Sequence, residues 1–281
     1  MGRDTAVSRP GETFADRYGP WAVVAGASEG VGAAFTESLA QQGLNVMLLA
    51  RRRPVLEALG ADIAERTGVQ TRTLAVDLSA DAAAKEVIEA TADLTVGLVV
   101  YCAGSDTVFE PFLSSPVAVA EAMVQRNCLT LVRLSHHFAP AMVQRSRGGI
   151  VVVGAAAGFA GAARMAAYGA TKAFDMVFAE ALWAELHDRG VDVLGLILGK
   201  TDTPALRRLE HERGVLASED DAPEGADDPA EVVTQALVNL SNGPTLMAGT
   251  QTGAIYQSVG SMTRNESVTM INEVIVSAMG S

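Results

Sequence analysis

Residues 21–32 read Trp21-Ala-Val-Val-Ala-Gly26-Ala-Ser-Glu-Gly30-Val-Gly32, a short apolar run that ends in a glycine-rich turn. The apolar run predicts a strand buried on both faces, and the spacing of apolar residues from 33 to 42 predicts a helix. A strand, a tight turn and a helix are therefore expected in direct succession. Such a turn directs backbone N–H groups and the positive end of a helix dipole at one point, which favours a bound pyrophosphate.

The same alternation continues along the chain. Short runs rich in Val and Leu predict strands at 21–25, 45–49, 72–76, 98–101, 150–153 and 192–198, and helical spacing predicts helices at 33–42, 55–66, 83–92, 116–144 and 166–188. This order predicts an α/β Rossmann fold, a doubly wound parallel sheet of about seven strands with helices on both faces. No linker divides the 281 residues, so a single domain over 1–281 is expected.

The glycines of the turn have separate expected roles. Gly26 permits the turn, Gly30 lets phosphates approach the backbone, and Gly32 allows the helix to pack closely on the strand. The predicted cofactor-binding loop also includes the residues between these glycines, namely Ser28, Glu29 and Val31. Because the GxxxGxG spacing differs from the commoner dinucleotide fingerprint, the prediction depends on the strand and helix around it.

The end of the second predicted strand indicates which dinucleotide is bound. A carboxylate there would accept a hydrogen bond from the adenosine ribose 2′-hydroxyl, whereas this chain has Ala50, Arg51 and Arg52. Because a guanidinium pairs with a 2′-phosphate, the sequence predicts NADP(H) in preference to NAD(H). The alternative is a solvated loop after the strand, and Glu29 is an acidic neighbour that would weaken the preference.

Tyr168 and Lys172 form a candidate catalytic pair. Their four-residue spacing at the start of a predicted helix places the phenol and the ammonium on one helix face. A tyrosine with its ordinary pKa near 10 is a poor acid or base at neutral pH, but a nearby cation lowers that pKa. The pair could therefore exchange a proton with a carbonyl or hydroxyl oxygen, although the same spacing also occurs by chance on helix surfaces.

Taken together, these motifs resemble those of the short-chain dehydrogenase/reductase family, over residues 21 to about 249. Within the family, the segments Tyr18 to Val24 and Gln70 to Asp77 look most like very-long-chain 3-oxoacyl-CoA and 17β-hydroxysteroid reductases. The resemblance implies hydride transfer between a nicotinamide and a carbonyl or secondary alcohol, with a lipophilic small molecule as substrate. It also implies a homodimer or homotetramer in which helices 116–144 and 166–188 pair with their copies.

The resemblance also assigns roles to further residues. Tyr168 and Lys172 match the family's catalytic pair, and Asn127 matches an asparagine that organises a proton relay with the lysine. The resemblance assigns cofactor contacts to Asp77, Leu78, Ala103, Gly104, Gly199, Thr201 and Thr203, in addition to Tyr168 and Lys172. Residues 200–228 would form a substrate lid followed by an acidic loop, Ser218 to Asp228, that is expected to be mobile and solvated, and 250–281 a C-terminal extension.

One position departs from the family pattern. The catalytic serine is expected thirteen residues before Tyr168, where this chain has Ala155. Loss of one preorganised hydrogen-bond donor to the reacting oxygen costs about 10²–10³ in rate. Three possibilities stay open: an enzyme with a compensating group, a slow enzyme, or a regulatory protein that binds NADP(H) without turnover. The presence of both Tyr168 and Lys172 favours an enzyme.

Composition limits the partners. The formal net charge is −12 and the only basic run is Arg51 to Arg53, which argues against nucleic acid as a ligand. Cys102 and Cys128 lie in apolar segments without metal-ligand spacing, so we expect no metal site, no disulfide and a reducing, cytoplasmic compartment. Residues 1–17 form a polar extension and no apolar run reaches membrane-spanning length, so neither a secretory signal nor a membrane span is expected.

Overall fold

A computed structural model describes residues 12–105 and 109–279, with side chains described as far as Glu273. The strands are β1 Trp21–Ala25, β2 Asn45–Ala50, β3 Thr71–Ala75, β4 Val96–Tyr101, β5 Gly148–Ala155, β6 Val191–Leu198 and β7 Thr245–Ala248. They form one sheet in the order β3-β2-β1-β4-β5-β6-β7, and every neighbouring pair is parallel. The predicted doubly wound sheet of about seven strands is confirmed.

Helices connect the strands. They are α1 Phe14–Tyr18, α2 Gly30–Gln41, α3 Arg53–Thr67, α4 Ala83–Ala90, α5 Val117–Val124, α6 Thr130–Gln144, α7 Ala166–Leu186, α8 Pro204–Glu212, α9 Pro229–Asn239, α10 Thr252–Gly260 and α11 Arg264–Met279. Two apolar clusters lie on opposite faces of the sheet, one beneath α2 and α9 and the other beneath α4, α6 and α7. The central strands are buried along their whole length because helices cover both faces.

Two elements differ from the prediction. The predicted helix 116–144 contains a π-helical turn at Gln125–Leu129, which separates α5 from α6. The seventh strand, β7, had no predicted position, since it has four residues and only Ala248 is fully buried. Short, half-buried strands lack the continuous apolar run by which the other six were recognised.

The amino-terminal stretch is packed from Phe14 onward. Helix α1 begins inside the predicted polar extension 1–17, of which residues 1–11 lie outside the described part of the chain. Arg17 and the Tyr18 hydroxyl both bond the Asp192 carboxylate at the amino end of β6. These contacts attach the extension to the edge of the sheet opposite the strand ends at which the glycine turn lies.

Within 12–105 and 109–279, no helix is both long and apolar enough to cross a membrane.

Candidate active site

The glycine turn has the backbone geometry that an anion site needs. Gly26 and Gly30 have φ of +84° and +56°, a region that residues with a Cβ rarely adopt. A Cβ on Gly32 would lie 2.0 Å from the Gly26 carbonyl oxygen, so helix and strand could not pack as they do. At the N-cap of α2, Glu29 makes no side-chain capping bond, which leaves the first N–H groups available to a phosphate.

Two further loops meet the turn at the carboxyl ends of the strands. A Cβ on Gly26 would lie 3.0 Å from the backbone nitrogen of Ala103, at the end of β4. A Cβ on Gly30 would lie 2.8 Å from the methyl group of Thr203, after β6. The turn, Ala103 and Thr203 thus form one crevice, and a crevice outside the strand ends is where open α/β sheets bind ligands.

At the predicted adenosine end of the crevice, one arginine pairs with a carboxylate and the other does not. Arg51 is exposed and forms no ion pair with the described residues. Arg52, in contrast, bonds Glu29 at 2.6 Å, and Glu29 also bonds Arg208 of α8 at 2.7 Å. Burial opposes the ionisation of Glu29, but the two arginines outweigh it and lower the pKa of this carboxyl. Sequence analysis missed Arg208, which lies 179 positions away.

The two predicted adenine-contacting residues follow β3. The Asp77 carboxylate accepts hydrogen bonds from the Ser79 backbone N–H and hydroxyl, which, with a smaller contribution from Arg51, lower its pKa. Leu78 is buried, and its carbonyl accepts from the Thr130 hydroxyl of α6. Both residues lie in the loop that leaves the sheet beside β2 and Arg51.

The loop after β6 places the other predicted cofactor contacts. Thr203 accepts a hydrogen bond from the Leu206 N–H and so caps α8. Thr201 is buried and pairs as an isolated bridge with Asp227. A Cβ on Gly199 would lie 2.6 Å from the Thr252 hydroxyl oxygen. Because Asp227 also binds the backbone and hydroxyl of Thr250, the end of the predicted mobile loop 218–228 is attached to the core.

Tyr168 and Lys172 lie together at the start of α7. The Lys172 ammonium is 5.8 Å from the centre of the Tyr168 ring, and the lysine is buried whereas the tyrosine is partly exposed. The ammonium donates to the Val153 carbonyl at 2.9 Å. A Cβ on Gly104 would lie 2.9 Å from this ammonium, so the glycine leaves the space that the lysine needs. The predicted pair and the predicted loop residue are therefore neighbours.

Asn127 is buried in the π-helical turn and lies beside Gly104 and the start of α7. Its amide donates to the Thr171 hydroxyl at 2.8 Å, and Thr171 donates to the Tyr168 carbonyl at 2.9 Å. A Cβ on Gly104 would lie 3.1 Å from the Asn127 side-chain oxygen. The π-helical turn that interrupts the predicted helix contains Asn127, the one site residue predicted in that helix. This position fits the general finding that π-helical turns frequently occur at functional sites. Thr171 was missed because a hydroxyl inside a helix carries no sequence signal.

Asp175 is the third functional-site residue, after Arg208 and Thr171, that was not predicted from the sequence. Its carboxylate lies 2.9 Å from the Lys172 ammonium, and the two side chains expose 3% and 5% of their surface. Burial raises the pKa of Asp175, partly opposed by Lys172. Burial would lower the pKa of Lys172, but Asp175 and then Tyr168 raise it above its ordinary value. A carboxylate three residues after the lysine, on an apolar helix, was the available signal.

A cavity opens beside Tyr168. Its walls are mainly apolar and include Phe109, Phe112, Val117, Met123 and Met165, and its charged lining residues are Glu110 and Arg164. Helix α8, in the predicted lid 200–228, is held by the ion pairs of Lys200 with Glu210 and of Asp202 with Arg207. Ala155 ends β5, so the position predicted for the family serine has a methyl group.

Comparison with known proteins identifies relatives. The short chain dehydrogenase family model matches residues 20–214. A 7beta-hydroxysteroid dehydrogenase of Clostridium sardiniense is 31% identical over 261 residues, covering 93% of this chain and 97% of that protein. The very-long-chain 3-oxoacyl-CoA reductase of Homo sapiens is 31% identical over 182 residues, 64% of this chain and 58% of that protein.

Two solved structures are similar throughout the fold. A 7beta-hydroxysteroid dehydrogenase structure superposes with a TM-score of 0.81 at 29% identity, covering 92% of this chain and 98% of that one. A short-chain dehydrogenase from Sphingobium yanoikuyae in complex with NADPH gives 0.70 at 30% identity, covering 81% and 86%. The predicted resemblance is confirmed: this chain belongs to the short-chain dehydrogenase family and is an oxidoreductase.

Proposed function

We propose that this chain is an NADP(H)-dependent oxidoreductase that interconverts the carbonyl and the secondary alcohol of a lipophilic substrate. The observation that carries the proposal is the convergence of Tyr168, Lys172, Asn127 and Gly104 beside an anion-binding glycine turn and an apolar cavity. These groups come from α7, the π-helical turn and the end of β4, and a proton donor next to a cofactor crevice is what carbonyl reduction requires.

Each residue has a proposed role. A bound NADPH would supply hydride to the carbonyl carbon. Tyr168 donates its phenolic proton to the carbonyl oxygen, and Lys172 stabilises the phenolate that forms and bonds the nicotinamide ribose. Asn127 orders the relay through which the proton is replaced. The free N–H groups after Glu29 bind the pyrophosphate, and the positive φ of Gly26 and Gly30 keeps Cβ atoms out of its path.

The preference for NADP(H) is supported by Arg51, which is exposed and has no carboxylate partner among the described residues. Arg52 is shared with Glu29, so Arg51 is the proposed principal ligand of the 2′-phosphate. The Sphingobium yanoikuyae relative was solved with NADPH, in keeping with this choice. Paired titrations with NADPH and NADH test it: at least tenfold tighter binding of NADPH is expected, and equal affinities would contradict the preference.

A lipophilic substrate is supported by the cavity beside Tyr168, whose walls are mostly apolar. Burial of apolar ligand surface against such walls contributes roughly 25 cal/mol of favourable free energy per Å² removed from water. The relatives named as hydroxysteroid dehydrogenases and 3-oxoacyl-CoA reductases suggest the same class. We propose a steroid-like or long acyl ketone and its alcohol, with Arg164 and Glu110 as the polar groups of the cavity lining.

The first experiment follows NADPH consumption by the purified protein over aliphatic, steroid and 3-oxoacyl thioester ketones. Turnover that is lost in Tyr168→Phe would establish a reductase that works with Ala155 in place of the serine. Ala155→Ser restores the hydroxyl and is expected to raise the rate about 10²-fold, the usual size of one oxyanion donor. Tyr256→Phe, a tyrosine of α10, serves as the control for removal of a phenol.

The same experiment decides the alternative, a regulatory protein that binds NADP(H) without turnover. That alternative requires NADPH binding by the unmodified protein, no ketone reduction, and activity only in Ala155→Ser. The missing hydroxyl at Ala155 is the observation that keeps it in view. Turnover by the unmodified protein on any ketone of the panel would exclude it.

A homodimer or homotetramer is the proposed assembly. Along α5 to α7 the apolar side chains Val117, Val124, Leu129, Phe174 and Val177 are exposed, although α6 and α7 pack on the sheet by their other faces. Exposed apolar side chains grouped on neighbouring helices are typical of an association site. Light scattering is expected to give at least twice the chain mass, and a monomeric mass would refute the assembly. Both cysteines are free thiols, in keeping with the proposed reducing, cytoplasmic compartment.

A further inference from the structure

Asp175 has an unusual hydrogen-bonding state for a buried carboxylate. One oxygen, Oδ2, accepts from Lys172 at 2.9 Å, but the other, Oδ1, has no partner among the described residues. Leaving a buried acceptor unsatisfied costs free energy, and buried ion pairs that serve only stability usually satisfy their remaining lone pairs. The position of Asp175 therefore needs an explanation other than stability.

Several titratable groups surround this pair. Tyr168 lies on the same helix, while Tyr101 and Cys102 belong to the end of β4 and Cys128 to the π-helical turn. Burial raises the pKa of Cys102 to about 12 and that of Cys128 to about 11, and it also raises the pKa of Tyr101. The two thiols and the Tyr101 phenol therefore stay neutral at physiological pH.

A third charge reaches the same region from outside. The Arg126 guanidinium is bonded to the Asn127 side-chain oxygen at 3.1 Å and to the Ser105 carbonyl. The Lys172 ammonium itself contacts one carboxylate among the described residues, that of Asp175. In a buried site, a charge at this distance from the ammonium changes its effect on the neighbouring phenol.

We propose that Asp175 is a positioning residue that holds the Lys172 ammonium against the Val153 carbonyl and offsets its charge, so that Tyr168 keeps its proton for donation to a carbonyl oxygen. This inference rests on the proposed function and extends it. In reduction, hydride from the bound cofactor forms the new C–H bond, the Tyr168 O–H bond breaks, and its proton joins the carbonyl oxygen. Asp175 exchanges no proton with substrate, and it biases the site towards reduction at neutral pH.

Asp175→Asn tests the proposal, because the amide oxygen can still accept from Lys172 while the charge is lost. The pH dependence of kcat/KM for ketone reduction is measured for both proteins. The alkaline limb, where Tyr168 loses its proton, is expected to move about one pH unit lower, roughly a tenfold loss of rate above the midpoint. Oxidation of the alcohol is expected to gain about tenfold below the midpoint, while KM for substrate stays within about twofold.

The matched control is Asp192→Asn, which removes another buried carboxylate at the opposite edge of the sheet. It should keep the pH profile of the unmodified protein. If Asp175→Asn also keeps that profile, and loses only stability as the control does, Asp175 is structural and the inference is wrong. Asp175→Ser, smaller and equally neutral, replaces the asparagine variant if that variant does not fold, with the same expected shift.

A second measurement separates this inference from the proposed function. Tyrosinate absorbance is titrated with NADP⁺ bound, and the signal of Tyr168→Phe is subtracted to isolate one of the four tyrosines. The Tyr168 midpoint is expected to fall in Asp175→Asn, and an unchanged midpoint overturns the inference. Absence of ketone turnover in the unmodified protein would defeat the proposed function alone, because this titration needs no substrate.

Discussion

A carboxylate, a cation and a tyrosine meet at each of two places on the sheet: at the amino ends of the parallel strands, here called the amino edge, and at their carboxyl ends, the carboxyl edge. The three groups are arranged differently at the two edges. At the amino edge, the Asp192 carboxylate accepts from Arg17 at 2.7 Å and from the Tyr18 hydroxyl at 2.6 Å, and Arg17 also donates to that hydroxyl at the longer distance of 3.3 Å. At the carboxyl edge the cation is in the middle, since Lys172 lies 2.9 Å from an Asp175 oxygen and 5.8 Å from the centre of the Tyr168 ring. The shortest contact of the Tyr18 hydroxyl is therefore with an anion, whereas the charged group described beside the Tyr168 ring is a cation.

This order decides what each tyrosine can do. Burial, followed by the Asp192 carboxylate, raises the pKa of Tyr18, so its proton stays as a hydrogen-bond donor and the network stabilises the fold. Beside Tyr168 lies the Lys172 ammonium, a charge of the sign that favours phenolate, and the proposed chemistry needs a phenol that can lose its proton and regain it. Equal composition thus gives a structural network at one edge and a candidate catalytic group at the other.

The largest expected effect comes from removing each hydroxyl in turn. Tyr168→Phe is expected to lower kcat/KM for ketone reduction by about 10²–10⁴ with the free energy of unfolding nearly unchanged, because a general acid acts on the transition state. Tyr18→Phe is expected to leave kcat/KM within about threefold and to lower the free energy of unfolding by roughly 1–3 kcal/mol, since a buried carboxylate loses a donor.

Steady-state kinetics and urea unfolding of both variants check this contrast. Similar losses of activity in the two variants would contradict the assignment of a catalytic role to Tyr168 and a structural role to Tyr18.

A smaller effect, on stability, comes from the carboxylate at the amino edge. Asp192→Asn leaves Arg17 with a weaker acceptor at a site where the carboxylate side chain is 8% exposed, and it is expected to destabilise the fold by about 2–4 kcal/mol. Asp93→Asn, which breaks the exposed pair with Arg72, is the control and should cost less than about 1 kcal/mol. Equal urea midpoints for the two variants would contradict the structural role of the amino edge.

The smallest expected effect concerns Glu29, a carboxylate at the glycine turn that bonds two arginines. Glu29→Gln releases Arg52 and is expected to tighten NADPH binding about three- to tenfold while NADH binding changes little, because this half-exposed pair is screened by solvent. Fluorescence titration with each cofactor measures the change. Glu37→Gln, whose carboxylate pairs with Arg66 on the far side of α2, is the control, and an equal gain for NADH would count against a 2′-phosphate at Arg52.

The pH dependence of Glu29 has a definite sign. Its pKa in the folded protein is lowered, so its contribution to stability is present above the ordinary glutamate pKa and is lost as the pH falls through the lowered value. The Arg208 bond, which joins the turn to α8, should weaken over the same acidic range. This contribution is small, since the carboxylate is partly exposed to solvent.

Local pattern was sufficient for most of the fold. Six strands were recognised from short apolar runs, and five of them are buried almost throughout, whereas β3 is only partly buried. The glycine turn was recognised because positive φ leaves few alternatives to glycine. The pairing of Tyr168 with Lys172 also follows from helical periodicity alone. The roles proposed for these residues, including Asn127 and Arg51, stay predictions that the experiments above test.

The amino-acid sequence by itself determined the order of six strands and the helices between them, the glycine turn, the Tyr–Lys spacing and the absence of a serine hydroxyl at Ala155. Only the tertiary structure decided which charges meet: Glu29 with Arg208 of α8, Asp192 with Arg17 and Tyr18, and a buried Asp175 with an unsatisfied oxygen beside Lys172. The physical reason is that hydrophobic periodicity and backbone dihedrals are local, whereas burial and electrostatic effects depend on groups brought together from distant parts of the chain.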